Sequence, residues 1–152
     1  MSSPSPLEAA AAIRAHHEEL AQGLLDRVAG LRAAARDARP FQAQRDGVVA
    51  YLETEIVPHA AAEERTLYRA ADSGPAAQLV DAMRAEHRDL LGRVEGLGDA
   101  SDAIDAVSGA SAIEALFLSH LGKENDRLIP ALLAMPDVSL GELLAGMHEL
   151  VG

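Results

Sequence analysis

The sequence predicts an all-α protein, an antiparallel up-down-up-down four-helix bundle with a short C-terminal helix. Three observations carry this. Hydrophobic residues make up 49% of the chain while aromatics are only 3%, so the apolar content is mostly Ala, Leu, Val and Ile, which favours helix over sheet. Four long helical patterns are joined by short connections, as antiparallel neighbours require. The two halves also repeat one another: Ile13-Arg14-Ala15-His16-His17-Glu18-Glu19-Leu20 aligns with Met83-Arg84-Ala85-Glu86-His87-Arg88-Asp89-Leu90, and His59, Glu63 and Leu67 align with His120, Glu124 and Leu128.

The first helix is expected over 6–37, because Ser5-Pro6-Leu7-Glu8 supplies a capping Ser, a proline at the first helical position and the Glu of a capping box. Arg39-Pro40 ends it. The second pattern covers 40–71 with Pro58 inside, where a kink or a local widening is expected. Asp72-Ser73-Gly74-Pro75 is a turn, and the third helix runs over 75–97 to stop near Gly98. The fourth covers 101–135, weakened at Gly109 and Pro130. After Pro136, Ser139-Leu140-Gly141-Glu142 forms a second capping box and opens a terminal helix over 139–150. A chain of 152 residues fits one domain.

Composition excludes several kinds of function. The formal charge is −11, from 24 acidic and 13 basic residues, and no basic run could track a phosphate backbone, so nucleic acid is not an expected partner. With no cysteine, disulfides, thiolate zinc sites and Cys-ligated iron–sulfur clusters are ruled out, and any metal must use His and carboxylate. The opening Met-Ser-Ser-Pro-Ser-Pro has neither a basic region nor an apolar one, and no stretch reaches the ~20 uncharged apolar residues of a membrane helix. A cytoplasmic protein without membrane contact is expected.

Residues four apart share a helix face, so His59 projects with Glu63 and His120 with Glu124. Both pairs lie on apolar stripes: Val48, Leu52, Ile56, His59, Glu63, Leu67 on the second helix, and Ile113, Phe117, His120, Glu124, Leu128 on the fourth. The first helix gives Ile13, His17, Leu20, Leu24, Val28 and Leu31; the third gives Leu79, Met83, His87, Leu90, Val94 and Leu97. Four imidazoles and two carboxylates therefore face one core, with no Lys or Arg on these stripes to balance them. A buried ionised carboxylate costs several kcal/mol unless it is paired or coordinates a metal, so a cation is the expected counter-charge. His16 lies off its stripe beside Arg27, Glu64 falls beside the core face, and His148 near the C-terminus is expected at the surface.

Competing motifs fail. His87-Arg88-Asp89-Leu90 imitates a kinase catalytic loop, but Val94 stands where its Asn belongs. His17-Glu18 lacks the second His of a metalloprotease helix, since Ala21 occupies that place. The Glu-x-x-His motif of ferritin-like bundles is absent, because Ile13, Arg14, Ile56, Arg84, Phe117 and Ala145 precede the six His by three residues.

The pattern of a helical His, His-x-x-x-Glu, a second helical His and a second His-x-x-x-Glu resembles the hemerythrin-like (HHE cation-binding) family over nearly the whole chain. The phrases His17-Glu18-Glu19-Leu20 and His59 through Glu63-Glu64 to Leu67-Tyr68 look like that family too. The resemblance implies that His17 and His59 bind one iron, His87 and His120 the other, and that Glu63 and Glu124 bridge them, with a solvent-derived oxo or hydroxo bridge. Zinc or manganese could take the same ligands. Two departures stand out: Met83 sits where oxygen carriers have another His, and His120-x-x-x-Glu124 replaces their His-x-x-x-x-Asp, so the site is more symmetric than a blood-type oxygen carrier's.

Three functional readings follow: a module that binds or senses dioxygen, peroxide or nitric oxide; a catalase-like or peroxidase-like di-iron enzyme; and a metal-free helical interaction module, which six uncompensated polar core residues disfavour. Tyr51 and Tyr68 could lie near the metals as proton donors or ligands, with core packing the favoured role for both.

Overall fold

The computed structural model describes residues 2–151, and among them no strand occurs. Helix α1 spans Pro6–Arg36. Its N-terminus closes reciprocally: the Ser5 hydroxyl accepts from the Glu8 amide at 3.3 Å and the Glu8 carboxylate accepts from the Ser5 amide at 2.8 Å, which satisfies amides that a helix start leaves orphaned. Past Arg36 the backbone turns through Ala38, held at φ 52°.

The next long segment comprises α2 (Gln42–Tyr51), a π-turn (Leu52–Ile56), α3 (Val57–Arg65) and α4 (Leu67–Ala71). Pro58 sits two residues beyond the π-turn. A proline has no amide hydrogen and its ring clashes with the carbonyl four residues back, so one wide turn accommodates it without breaking the segment. The local widening expected at Pro58 is therefore present. The relation recurs after α5 (Ala77–Gly98) and α6 (Ala103–Lys123): a π-turn over Glu124–Leu128 precedes Pro130 by two residues and leads into α7 (Ile129–Leu133). Asp102 caps α6, its side chain accepting from the Asp105 amide at 2.8 Å. Helix α8 is Leu140–Val151.

Helix α1 packs on α2 and α6, α5 on α6 and α2, and α8 on α1 and α3. The apolar interior falls into two clusters. One holds Leu24, Val28, Val48, Leu52, Ile56, Val94, Ile113 and Phe117; the other holds Ile13, Leu67, Tyr68, Val80, Met83, Leu128, Leu132 and Met147. Burying each such side chain contributes roughly 1.5–3 kcal/mol. Along α1 the chain passes from the second cluster through His17 to the first; α2–α4 crosses from first to second through His59 and Glu63. Helix α5 passes through His87 as α1 does, and α6–α7 crosses as α2–α4 does. All the stripe positions named from periodicity are buried except Leu79, which is half-buried while Val80 beside it is fully enclosed.

The helical run Ala103–Leu133 is the one span among the described residues long and apolar enough, by length and composition alone, to cross a membrane. It is also the run that carries Phe117, His120 and Glu124 into the core. Helix α8 seats closely at its start: a Cβ added to Gly141 would stand 2.5 Å from the Pro4 carbonyl oxygen, so only glycine allows this approach.

Candidate metal centre

Between the two apolar clusters lies a layer of six polar side chains, His17, His59, Glu63, His87, His120 and Glu124, which are the buried polar residues among those described. Each reaches inward because it continues the stripe of its own helix. The Glu63 carboxylate stands at the centre. Its Oε2 lies 3.3 Å from Nε2 of His17 and 3.3 Å from Nε2 of His59, while its Oε1 faces Nε2 of His87 at 3.9 Å. Across the layer, Glu124 Oε1 lies 2.9 Å from His120 Nε2, and the His87 and His120 Nε2 atoms are 2.9 Å apart. Two groups of donor atoms thus converge tightly enough to hold a cation: His17, His59 and Glu63, and Glu63, His87 and His120. Glu63 belongs to both.

Without a cation this arrangement is strained electrostatically. Burial, and next the charge of Glu63, push the Glu124 carboxyl up to about 8. Burial would also raise Glu63, but the charge of His59 and hydrogen bonds from Glu124 and His17 hold it well below the carboxylate range. The pair therefore shares a proton, with Glu63 the ionised member. Burial works to lower His17, yet the hydrogen bond and charge of Glu63 push it up to about 9. His120 is likewise raised against its burial by Glu124, whereas burial keeps His87 down. Protons here stand in for positive charge that the side chains cannot otherwise obtain. The donor set is pure imidazole and carboxylate, and two of its buried atoms, His59 Nε2 and Glu124 Oε1, lie close to Glu63 Oε2 and His120 Nε2 but make no hydrogen bond of acceptable geometry among the described residues. Orphaned acceptors aimed into a dry interior are what a metal ion would satisfy.

The outer imidazole nitrogens are held from neighbouring helices. His87 Nδ1 meets Glu64 Oε1 at 2.9 Å, His120 Nδ1 meets Glu86 Oε2 at 2.8 Å, and His17 Nδ1 meets Asn125 Oδ1 at 2.7 Å. Such contacts fix ring orientation and leave Nε2 free for a ligand role. Lys123 in turn binds Glu86. Sequence reasoning placed Glu64 beside the core but missed Glu86 and Asn125. A usable signal existed, because each of the three is the immediate sequence neighbour of an inward residue.

The two tyrosines divide. Tyr51 packs: its hydroxyl donates to the Leu20 carbonyl at 2.9 Å and Arg27 lies over its ring at 4.1 Å. Tyr68 packs as well, its ring in the second apolar cluster, but its hydroxyl also lies 3.1 Å from Nε2 of both His87 and His120 and donates to Glu124 Oε2 at 3.3 Å. The cause is a break at Thr66. Its hydroxyl takes the Ala62 carbonyl at 2.7 Å, and its amide bonds instead to Glu63 O at 3.2 Å, with φ −120° and ψ −82°. In an unbroken helix Tyr68 would stand about 140° around from Glu63. Burial, and after it Glu63 and Glu124, raise the Tyr68 phenol far above its ordinary range, so it holds its proton. His16 is exposed beside the His59 ring and outside both donor groups, and His148 is exposed.

A family model, the hemerythrin HHE cation binding domain, matches residues 8–132. The chain belongs to this family. Membership makes it a cation-binding helical domain, and the matched region contains all six buried polar residues while α8 lies beyond it. Comparison with curated proteins and with solved structures found no match.

Proposed function

We propose that this HHE domain binds two iron ions and uses them to bind or sense a small oxidant: dioxygen, peroxide or nitric oxide. His17 and His59 hold one ion and His87 and His120 the other, with Glu63 and Glu124 between them. The observation that carries the reading is the placement of Glu63, whose two carboxylate oxygens face two separate imidazole groups. The proposed frame is an antiparallel up-down-up-down four-helix bundle, supported by the alternating order in which successive helices traverse the two apolar clusters.

Iron, when bound, supplies reversible redox chemistry and coordination positions open to a small molecule. The chain's own residues do the rest. The apolar clusters exclude water, Glu64, Glu86 and Asn125 orient the rings, and Tyr68 holds a proton at Oη against the His87 and His120 side. A small pocket open to solvent, lined by Val57, Ala60, Ala61, Leu90 and Leu91, abuts His87 and Glu64 and offers a small molecule an approach to the layer.

The buried Tyr68 hydroxyl favours a second reading, a catalase-like or peroxidase-like enzyme, because a hydroxyl beside Nε2 of His87 and His120 is placed to hydrogen-bond a peroxide oxygen. Aerobically purified protein should contain roughly two irons per chain and show near-ultraviolet absorption from the iron pair. Protein with full helicity but no iron uptake would overturn both readings, and peroxide turnover by the loaded protein would decide for the enzyme.

A further inference from the structure

Three outer hydrogen bonds and one ring-to-ring neighbour surround the polar layer. Glu64 on α3 serves His87 on α5, Glu86 on α5 serves His120 on α6, and Asn125, in the turn after α6, serves His17 on α1. The fourth place falls to α1 serving His59 on α3, and there His16 stands with its ring centroid 5.0 Å from that of His59. The internal repeat pairs these positions: Glu64 corresponds to Asn125, and Glu86 corresponds to His16. The two histidines of the second half, His87 and His120, thus have carboxylates behind them, one from each half, whereas the two of the first half, His17 and His59, have an amide and an imidazole.

A carboxylate accepting from Nδ1–H polarises the imidazole and makes Nε2 a stronger donor to a metal; a neutral acceptor does so less. Cationic neighbours do not cancel this difference. Lys123 binds Glu86 on the carboxylate side, but Arg14 donates to the Asn125 carbonyl at 2.9 Å on the other, leaving Glu64 as the excess negative charge. Resting on the two-ion reading above, we infer that the two subsites are unequal by construction. The His87/His120 subsite, backed by Glu64 and Glu86, loads first and releases its ion last, while the His17/His59 subsite is the labile one. Glu64, Glu86, Asn125 and His16 act as positioning residues that set this order.

The test titrates cobalt(II) alone into the metal-free protein, following its visible absorption and the binding heat. Two phases should appear, separated by about ten-fold or more in affinity. His87→Ala should abolish the tight phase and His59→Ala the weak one. Glu64→Gln and Glu86→Gln preserve side-chain shape and an acceptor oxygen, so a purely structural role would be spared by them; each should weaken the tight phase about ten-fold and leave the weak phase in place. The double variant His16→Glu/Asn125→Glu puts carboxylates behind His59 and His17 as well and should draw the two phases together, and it carries the test should the Gln variants fail to fold. Two ions binding in a single phase, or Gln variants that weaken both phases alike, would overturn the inequality while leaving the two-ion reading intact. A well-folded protein that takes up no cobalt would overturn both.

Discussion

Among single residues, Tyr68 connects most directly to the chemistry. Its hydroxyl occupies the same small space as Nε2 of His87, Nε2 of His120 and a Glu124 oxygen, and it is fully enclosed. Tyr68→Phe removes one oxygen and leaves the ring packed against the second apolar cluster. In metal-free protein the change strips hydrogen-bond partners from buried polar atoms, which costs about 1–3 kcal/mol. In protein loaded as proposed the same Nε2 atoms would face a cation, so less would be lost. The expected outcome is a larger fall in melting temperature for metal-free Tyr68→Phe than for the loaded form, read by calorimetry on both. Equal falls in the two forms would show that the hydroxyl contributes packing and nothing toward the centre. The sequence alone could not rank this residue, because its direction depends on the Thr66 hydroxyl capturing the Ala62 carbonyl, an event that helical periodicity does not register.

Among the helical elements, periodicity was a good guide wherever the helix stayed regular. His17, His87, His59, Glu63, His120 and Glu124 were all legible as inward, since each sits an integral number of turns from Leu, Ile or Phe on its own stripe. Asn125 was not, because its direction is set inside the π-turn at Glu124–Leu128, and neither was the partnership of Glu86, which depends on which helix lies alongside α5. Val80 replaced Leu79 as the fully enclosed residue because both positions neighbour Met83 on the helix surface, at three and four residues' distance, and periodicity alone does not choose between them. The end of α1 carries its own prediction. The break was readable from Arg39-Pro40, but Ala38 enters the left-handed region at φ 52°, where a Cβ crowds the following carbonyl and costs about 1–2 kcal/mol. Ala38→Gly removes that crowding and gives back some of it as unfolded-state entropy, so a net gain of about 0.5–1 kcal/mol is expected in denaturant unfolding. A loss of stability would mean that the methyl group makes packing contacts that outweigh the strain.

For the molecule as a whole, the polar layer divides the interior into two apolar halves and sets how folding couples to metal. In the metal-free state the layer is balanced by protons shared between Glu63 and Glu124 and taken up by His17 and His120. A cation held by the six side chains as proposed would displace those protons and tie the stripes of α1, α3, α5 and α6 to common points, none of which exists in the unfolded chain. Ligand that binds only the folded state adds RT ln(1 + [L]/Kd), about 2.7 kcal/mol when free metal is 100-fold above Kd. For a chain of this length each kcal/mol moves the melting temperature by roughly 2–4 °C, so stripping even one of the two proposed ions with a chelator should lower it by about 5–10 °C. The same chelator should leave unchanged a variant with His17, His59, His87 and His120 all replaced by Ala, whatever that variant's own stability. If the unmodified protein also kept its melting temperature on chelation, the six buried groups would have to be stable on shared protons alone, and the centre would be a structural polar layer, not a metal site.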